Sequence, residues 1–167
     1  AEALLRRLKG MSLASDINKK DRATKIAVAK KEWEQELDEW IHETDDFSKE
    51  AIKKAGEGYL HPRQVLRELE KAMPKDVMVS TDIGNINSVA NSYLRFEKPR
   101  SFFAAMSFGN CGYAFPTIIG AKVAAPNRPA IAYAGDGAWG MSMGEVMTCV
   151  REGIPVTAVV FNNGQWG

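Results

Sequence analysis

Between residues 26 and 41 the apolar positions fall at three- and four-residue steps. Ile26, Ala29, Trp33, Leu37, Trp40 and Ile41 form one stripe on a helix whose other faces are charged. Asp21 stands where it can cap the start of that helix. Two Trp in one stripe are expected to anchor packing rather than to touch a ligand. Gly56-Glu57-Gly58 breaks the pattern and marks a boundary, so residues 1–60 are read as a helix-rich segment.

Past that boundary helices and strands alternate. His61-Pro62 opens a helix with Pro in its first turn, and Val65, Leu66, Leu69 and Met73 are its expected buried face. A short apolar strand is predicted over 77–81, followed by the turn Asp82-Ile83-Gly84-Asn85 into a helix that ends near 96. A strand is predicted over 101–106, a turn over 109–112, and a helix running to about 124. Residues 130–134 read as a strand, 135–140 as a glycine-rich turn, and 141–152 as a helix stopped by Gly153. A last apolar strand, 156–161, leads into Asn162-Asn163-Gly164. This alternation of helices with near-continuous apolar strands predicts an α/β fold, a parallel sheet covered by helices on both faces. In such sheets ligands sit beyond the carboxyl ends of the strands, the edge where the turns after 81, 106, 134 and 161 would gather.

Composition adds limits. The 167 residues suit one domain and a tail, and 45% hydrophobic content suits a packed core. A net charge of +1 gives no footprint for nucleic acid or an anionic membrane, and no apolar run approaches the roughly 18 residues of a membrane span. The amphipathic start AEALLRRLKG is not a signal peptide. Cys111 and Cys149 lack metal-type spacing, which predicts a reduced cytosolic chain with both thiols buried. The sequence begins without Met inside a helical pattern and stops just after a turn, so a piece of a longer protein is expected.

The chemistry gathers at two strand ends. In Gly135-Asp136-Gly137-Ala138 an acid follows an apolar strand, between glycines that allow close backbone approach and positive φ. Free N–H groups at the start of the next helix can bind an anion, and an Asp beside an anion requires a cation between them. A hard divalent ion with oxygen ligands, Mg2+, fits that need. A plain turn with a helix-capping Asp accounts for the same residues. Asn162-Asn163-Gly164-Gln165 ends the next strand, where Asn163 can offer an amide oxygen and Gln165 its backbone carbonyl; two amides can also be simple turn formers.

GDG, 24 residues, then NN resembles the cofactor motif of the thiamine-diphosphate enzymes of the acetolactate synthase, pyruvate oxidase and pyruvate decarboxylase superfamily. The likeness covers about residues 62–167, part of that family's C-terminal cofactor domain; residues 1–60 would be the end of a middle domain plus a linker. It implies thiamine diphosphate and Mg2+ as cofactors. Asp136, Asn163 and the Gln165 carbonyl would be the metal ligands, while Gly135, Gly137 and Ala138 would border the diphosphate. Ser107 to Pro116 resembles the segment beneath the thiamine rings: the Gly109 carbonyl would accept from the 4′-amino group, with Asn110 beside it. Where the family has a large aliphatic wedge this chain has Cys111, and Asn85 falls where a second turn contacts the diphosphate. The family's catalytic glutamate lies in an N-terminal domain of a partner subunit, so no catalytic residue is assigned here, and Glu145 is expected to be solvated or packing. The wider wording resembles an acyltransferase branch using small-molecule substrates, with acetolactate synthase-like and 2-oxo acid decarboxylase-like chemistry as alternatives. A homo-oligomer, dimer or tetramer, is implied.

Overall fold

The computed structural model describes residues 16–42 and 60–165. The chain divides into two compact units, Ala1–Thr44 and Asp45–Gly167. In the first, α1 (Asp16–His42) begins upstream of Asp21. Asp21 therefore does not cap it; its carboxylate meets Lys25 one turn on, at 2.9 Å. Leu37 is buried, but Ile26 and Trp33 are exposed, so the apolar stripe is not a continuous buried face. One apolar residue per turn is too narrow a stripe to form one. Trp33 and Trp40 pack edge to face with centroids 5.4 Å apart. The side chain of Ile41 and the break at 56–58 lie outside the described residues.

The second unit runs α2 (Pro62–Ala72), β1 (Met78–Thr81), α3 (Asn85–Tyr93), β2 (Phe102–Ala104), α4 (Ala114–Ala124), β3 (Ala130–Gly135), α5 (Asp136–Ser142), a 3-10 turn (Met143–Glu145), α6 (Val146–Glu152) and β4 (Thr157–Phe161). The strands form one sheet in the order β2-β1-β3-β4, with every neighbouring pair parallel. The fold is the expected parallel sheet flanked by helices. Antiparallel hairpins are unavailable between these strands, because β1, β2 and β3 are each followed by a helical segment or a long loop that carries the chain back to the starting edge.

Side-chain alternation along β3 sorts the two layers. Ala130 and Ala132 join Met78 and the α4 residues Ala114, Phe115 and Ile118 in one core. Alanines in the strand let the larger α4 side chains approach the sheet closely. Tyr133 faces the other way, fully buried, and its hydroxyl lies 3.2 Å from Met73 Sδ just past α2. On that face α2 is capped by His61, whose Nδ1 accepts from the Arg63 N–H, and it buries Leu66 fully. Val65, Leu69 and Met73 are half-buried. At the amino edge of the sheet one guanidinium ties three strand entrances together. Arg128 donates to the carbonyls of Asp76 (2.9 Å), Val77 (3.4 Å) and Arg100 (3.2 Å) and to Ser101 Oγ (2.5 Å). Lys122 Nζ donates to the Arg128 carbonyl at 2.7 Å.

Two expectations are corrected. Strand β1 is buried throughout, but β4 is exposed at Thr157 and Val160, so the sheet is not covered on both faces along its whole width. The helix expected over 141–152 begins at Asp136 and is interrupted by the 3-10 turn. Gly140 just before that interruption and Gly144 within it weaken the helix there. It ends as expected at Gly153, which is left-handed.

Burial pushes the Tyr133 phenol up to about 12. The neutral form is favoured in the fold, so this contribution is fully present below the unfolded value near pH 10 and is lost as pH rises toward 12. The folded protein is expected to lose about 2–3 kcal/mol across that window through this group. Tyr133→Phe should flatten the alkaline arm of urea-unfolding stability against pH; identical arms in both proteins would contradict the assignment.

Candidate metal centre and cofactor cradle

Four segments meet at the carboxyl edge. At the end of β3 the expected glycine-rich turn over 135–140 is absent. Gly135 is the extended N-cap (φ −70°, ψ 161°) and α5 starts at Asp136. Gly135, Gly137 and Gly140 all lack positive φ. The strand passes directly into a helix, and a Cβ on Gly135 or Gly140 would meet nothing within 4 Å. The first N–H groups of α5, among them those of Gly137 and Ala138, have no partner within the helix and stand at the sheet edge.

Asp136 occupies that first turn. Its Oδ1 is buried and has no hydrogen-bond partner. A buried carboxylate oxygen without a donor costs more than a neutral one, and a cation relieves that cost. Among the described residues no cluster of three or more His, Cys, Asp and Glu exists, so an ion here would be held by one carboxylate with amide and carbonyl oxygens. That donor set is hard and suits Mg2+.

Strand β4 supplies the other side. Gly135 pairs with Phe161, so Asp136 and Asn162 directly follow paired positions at the ends of two strands about 4.8 Å apart. Asn162 Oδ1 accepts from the Gly164 N–H at 3.2 Å, and Asn163 Oδ1 from the Gln165 N–H at 3.1 Å. Both amides therefore act as turn formers, the simpler of the two roles the sequence allowed. The Asn163 oxygen has a second lone pair, and Asn163 and Gln165 are exposed at the edge.

The third segment follows β1. Asn85 is exposed at the start of α3, behind Gly84 (φ 109°). Its neighbour Asn87 is buried: Oδ1 accepts from Thr81 Oγ1 (2.9 Å) and Asn91 Nδ2 (3.1 Å), and Nδ2 lies 3.2 Å from Met106 Sδ. The fourth segment is the loop before α4. Gly109 (φ 73°) and Gly112 (φ 79°) are both left-handed. A Cβ on Gly112 would lie 3.2 Å from Met141 Cβ, so this loop packs against α5. Asn110 is exposed between the two glycines.

Cys111 and Cys149 are free and partly exposed, which corrects the expectation that both thiols are buried. Cys111 sits in the edge loop. Cys149 is on α6 beside a shallow concavity, where burial and the Glu145 carboxylate push its thiol up. Glu145 itself is exposed and accepts from Thr148 Oγ1 at 2.8 Å.

Sequence reasoning assigned no role to Asp82 or Asn87. Asp82 is fully buried and accepts from backbone N–H groups of Gly112 and Ala114, far along the chain. The only local signal was its place directly after a strand.

Comparisons with known proteins place this edge in context. Residues 82–167 match the thiamine pyrophosphate enzyme C-terminal TPP binding domain. Over its whole length the chain is 72% identical to a sulfoacetaldehyde acetyltransferase of Castellaniella defragrans and 69% identical to one of Alcaligenes xylosoxydans xylosoxydans, spanning 28% and 29% of those proteins. A Rhodococcus jostii RHA1 thiamine diphosphate-dependent 4-hydroxybenzoylformate decarboxylase superposes with a TM-score of 0.61 at 25% identity, over 65% of this chain and 20% of that one. No helix among the described residues is long and apolar enough to cross a membrane. The family match takes in Asp82, the 109–114 loop, Asp136 and the Asn162-Asn163 turn together, and the chain belongs to the thiamine pyrophosphate enzymes through their C-terminal TPP-binding domain.

Proposed function

We propose that the full-length protein is a thiamine-diphosphate- and Mg2+-dependent acyltransferase that converts sulfoacetaldehyde and phosphate into acetyl phosphate and sulfite. It would act in the cytoplasm as a homo-oligomer, in the breakdown of taurine and related sulfonates. The observation that carries the cofactor reading is the buried, unpartnered Asp136 Oδ1 at a helix start beside the Asn162-Asn163 turn. The names of the relatives at 72% and 69% identity support the choice of substrate.

When bound, the cofactor supplies a thiazolium carbon nucleophile for attack on the aldehyde. This chain's residues hold and orient it. Asp136, Asn163 and the Gln165 carbonyl would hold the metal, and the α5 N–H groups of Gly137 and Ala138 would meet the diphosphate beside Gly135. Asn85 would reach the diphosphate from the start of α3. The Gly109 carbonyl would accept a hydrogen bond from the pyrimidine amino group, with Asn110 and Cys111 against the rings. The test is an assay of the full-length protein with sulfoacetaldehyde, phosphate, Mg2+ and thiamine diphosphate. Stoichiometric acetyl phosphate and sulfite, lost when any component is omitted, is expected; turnover of pyruvate to acetolactate with none of sulfoacetaldehyde would contradict the proposal.

A thiol that props the rings by shape alone predicts a clear substitution series. Cys111→Leu should keep thiamine diphosphate affinity within about threefold, whereas Cys111→Asp should weaken it at least about tenfold by placing a carboxylate against an apolar ring surface. Calorimetric titration of both variants checks this; equal affinities would remove Cys111 from the ring cradle.

A further inference from the structure

The structure assigns Asp82 as the positioning residue that sets the ring-cradling loop; this rests on the cofactor reading above. Asp82 is fixed by the sheet. It directly follows β1, and its N–H donates to the Tyr133 carbonyl at 2.9 Å, continuing the β1–β3 ladder. Its side chain, fully buried, reaches across to the loop before α4. Oδ1 accepts from the Gly112 N–H at 2.9 Å and from the Ile83 N–H at 3.2 Å, and Oδ2 accepts from the Ala114 N–H at 3.0 Å.

Charge-assisted bonds from a buried carboxylate are stronger than neutral ones, and each of these oxygens has a donor. The far end of the loop has its own anchor, the Gly109 N–H donating to the Ala105 carbonyl at 2.8 Å. Asn110 and Cys111 are thus suspended between two fixed points. The Gly109 end is held by a local backbone bond. The Gly112 end is held through the long-range Asp82 contacts, the packing of Gly112 on Met141 and the buried start of α4 at Ala114. Loosening the carboxylate should free the ring segment while leaving Asp136 and the α5 N-terminus in place.

Asp82→Asn is the discriminating variant. An amide keeps one acceptor but turns an NH2 toward a backbone N–H, so one of the two long-range bonds is replaced by a donor–donor clash. In the full-length protein, hydrogen exchange of the Gly112 and Ala114 amides without cofactor should rise at least about tenfold, with β1 and β3 unchanged. Thiamine diphosphate affinity should fall about tenfold or more. Affinity for inorganic diphosphate with Mg2+, which lacks the rings, should stay within about twofold. Equal weakening of both ligands would mean general loss of structure and would overturn the role, as would unchanged exchange. Should Asp82→Asn not fold, Asp82→Ser keeps one small acceptor and should shift the same readouts in the same direction; no shift, or failure of both to fold, also overturns it. A wild-type protein that binds inorganic diphosphate but not thiamine diphosphate would refute the cofactor reading, and the positioning role with it, even if exchange in Asp82→Asn still showed the clamp.

Discussion

Asp136→Ala in the full-length protein is expected to weaken Mg2+-dependent thiamine diphosphate binding by about 100-fold or more, near 2.7 kcal/mol. The same substitution should leave the cofactor-free protein at least as stable as before. Asp136 Oδ1 is buried without a donor, and relieving such a group returns about 1–3 kcal/mol. An acid in the first turn of a helix contributes only about 0.3–1 kcal/mol through the helix dipole. Relief of the buried oxygen outweighs the lost dipole contact, so binding and stability should move in opposite directions. A structural Asp would lose both together. Calorimetric titration paired with urea unfolding checks the pair of signs; unchanged affinity, or a large loss of stability, would remove Asp136 from the metal site.

Gly112→Ala should be the most damaging single methyl group in the described part of the chain. Left-handed φ costs an alanine about 1–2 kcal/mol. The added Cβ also meets the Met141 Cβ at 3.2 Å, a point near the backbone that cannot swing away. The strain falls on the loop that Asp82 holds, so a loss of about 2–3 kcal/mol in stability and a marked loss of cofactor affinity are expected together. Gly120→Ala is the natural control. Gly120 lies inside α4, lacks positive φ and has open space where the methyl would go, so helix propensity should make that variant up to about 1 kcal/mol more stable. Two Gly→Ala changes only eight positions apart should therefore differ in sign. Thermal or urea unfolding of both decides it; equal shifts would mean that the Gly112 geometry is not a constraint.

The layer architecture was legible because the apolar period changes at residue 61 and each strand is a short, separate run. The pairing of Gly135 with Phe161, which brings the two motif segments to one edge, followed from consecutive parallel strands being neighbours. What was not legible depended on longer-range packing. Local preference made 135–140 a turn because it holds three glycines, yet Gly135 ends the strand and residues 136–140 are helical, since a helix packed against β3 and β4 outweighs glycine propensity. Asp21 looked like a cap because the pattern upstream is weak, but the helix extends beyond it. The role of Asp82 depends on Gly112 and Ala114, 30 and 32 residues further on, and no window along the chain contains that information. Cys111 and Cys149 were placed inside on the general tendency of free thiols to be buried; one stands on an edge loop and the other on a half-covered helix face.

The central claim is that one divalent ion bridges Asp136 and the Asn162–Gln165 turn to a diphosphate. The most direct measurement is a crystal structure of the full-length protein soaked with Mg2+ and thiamine diphosphate. The account predicts an octahedral ion about 2.0–2.1 Å from Asp136 Oδ1, Asn163 Oδ1 and the Gln165 carbonyl, sharing the diphosphate oxygens. A bound cofactor whose ion lies elsewhere, with Asp136 Oδ1 still lacking a partner, would contradict it.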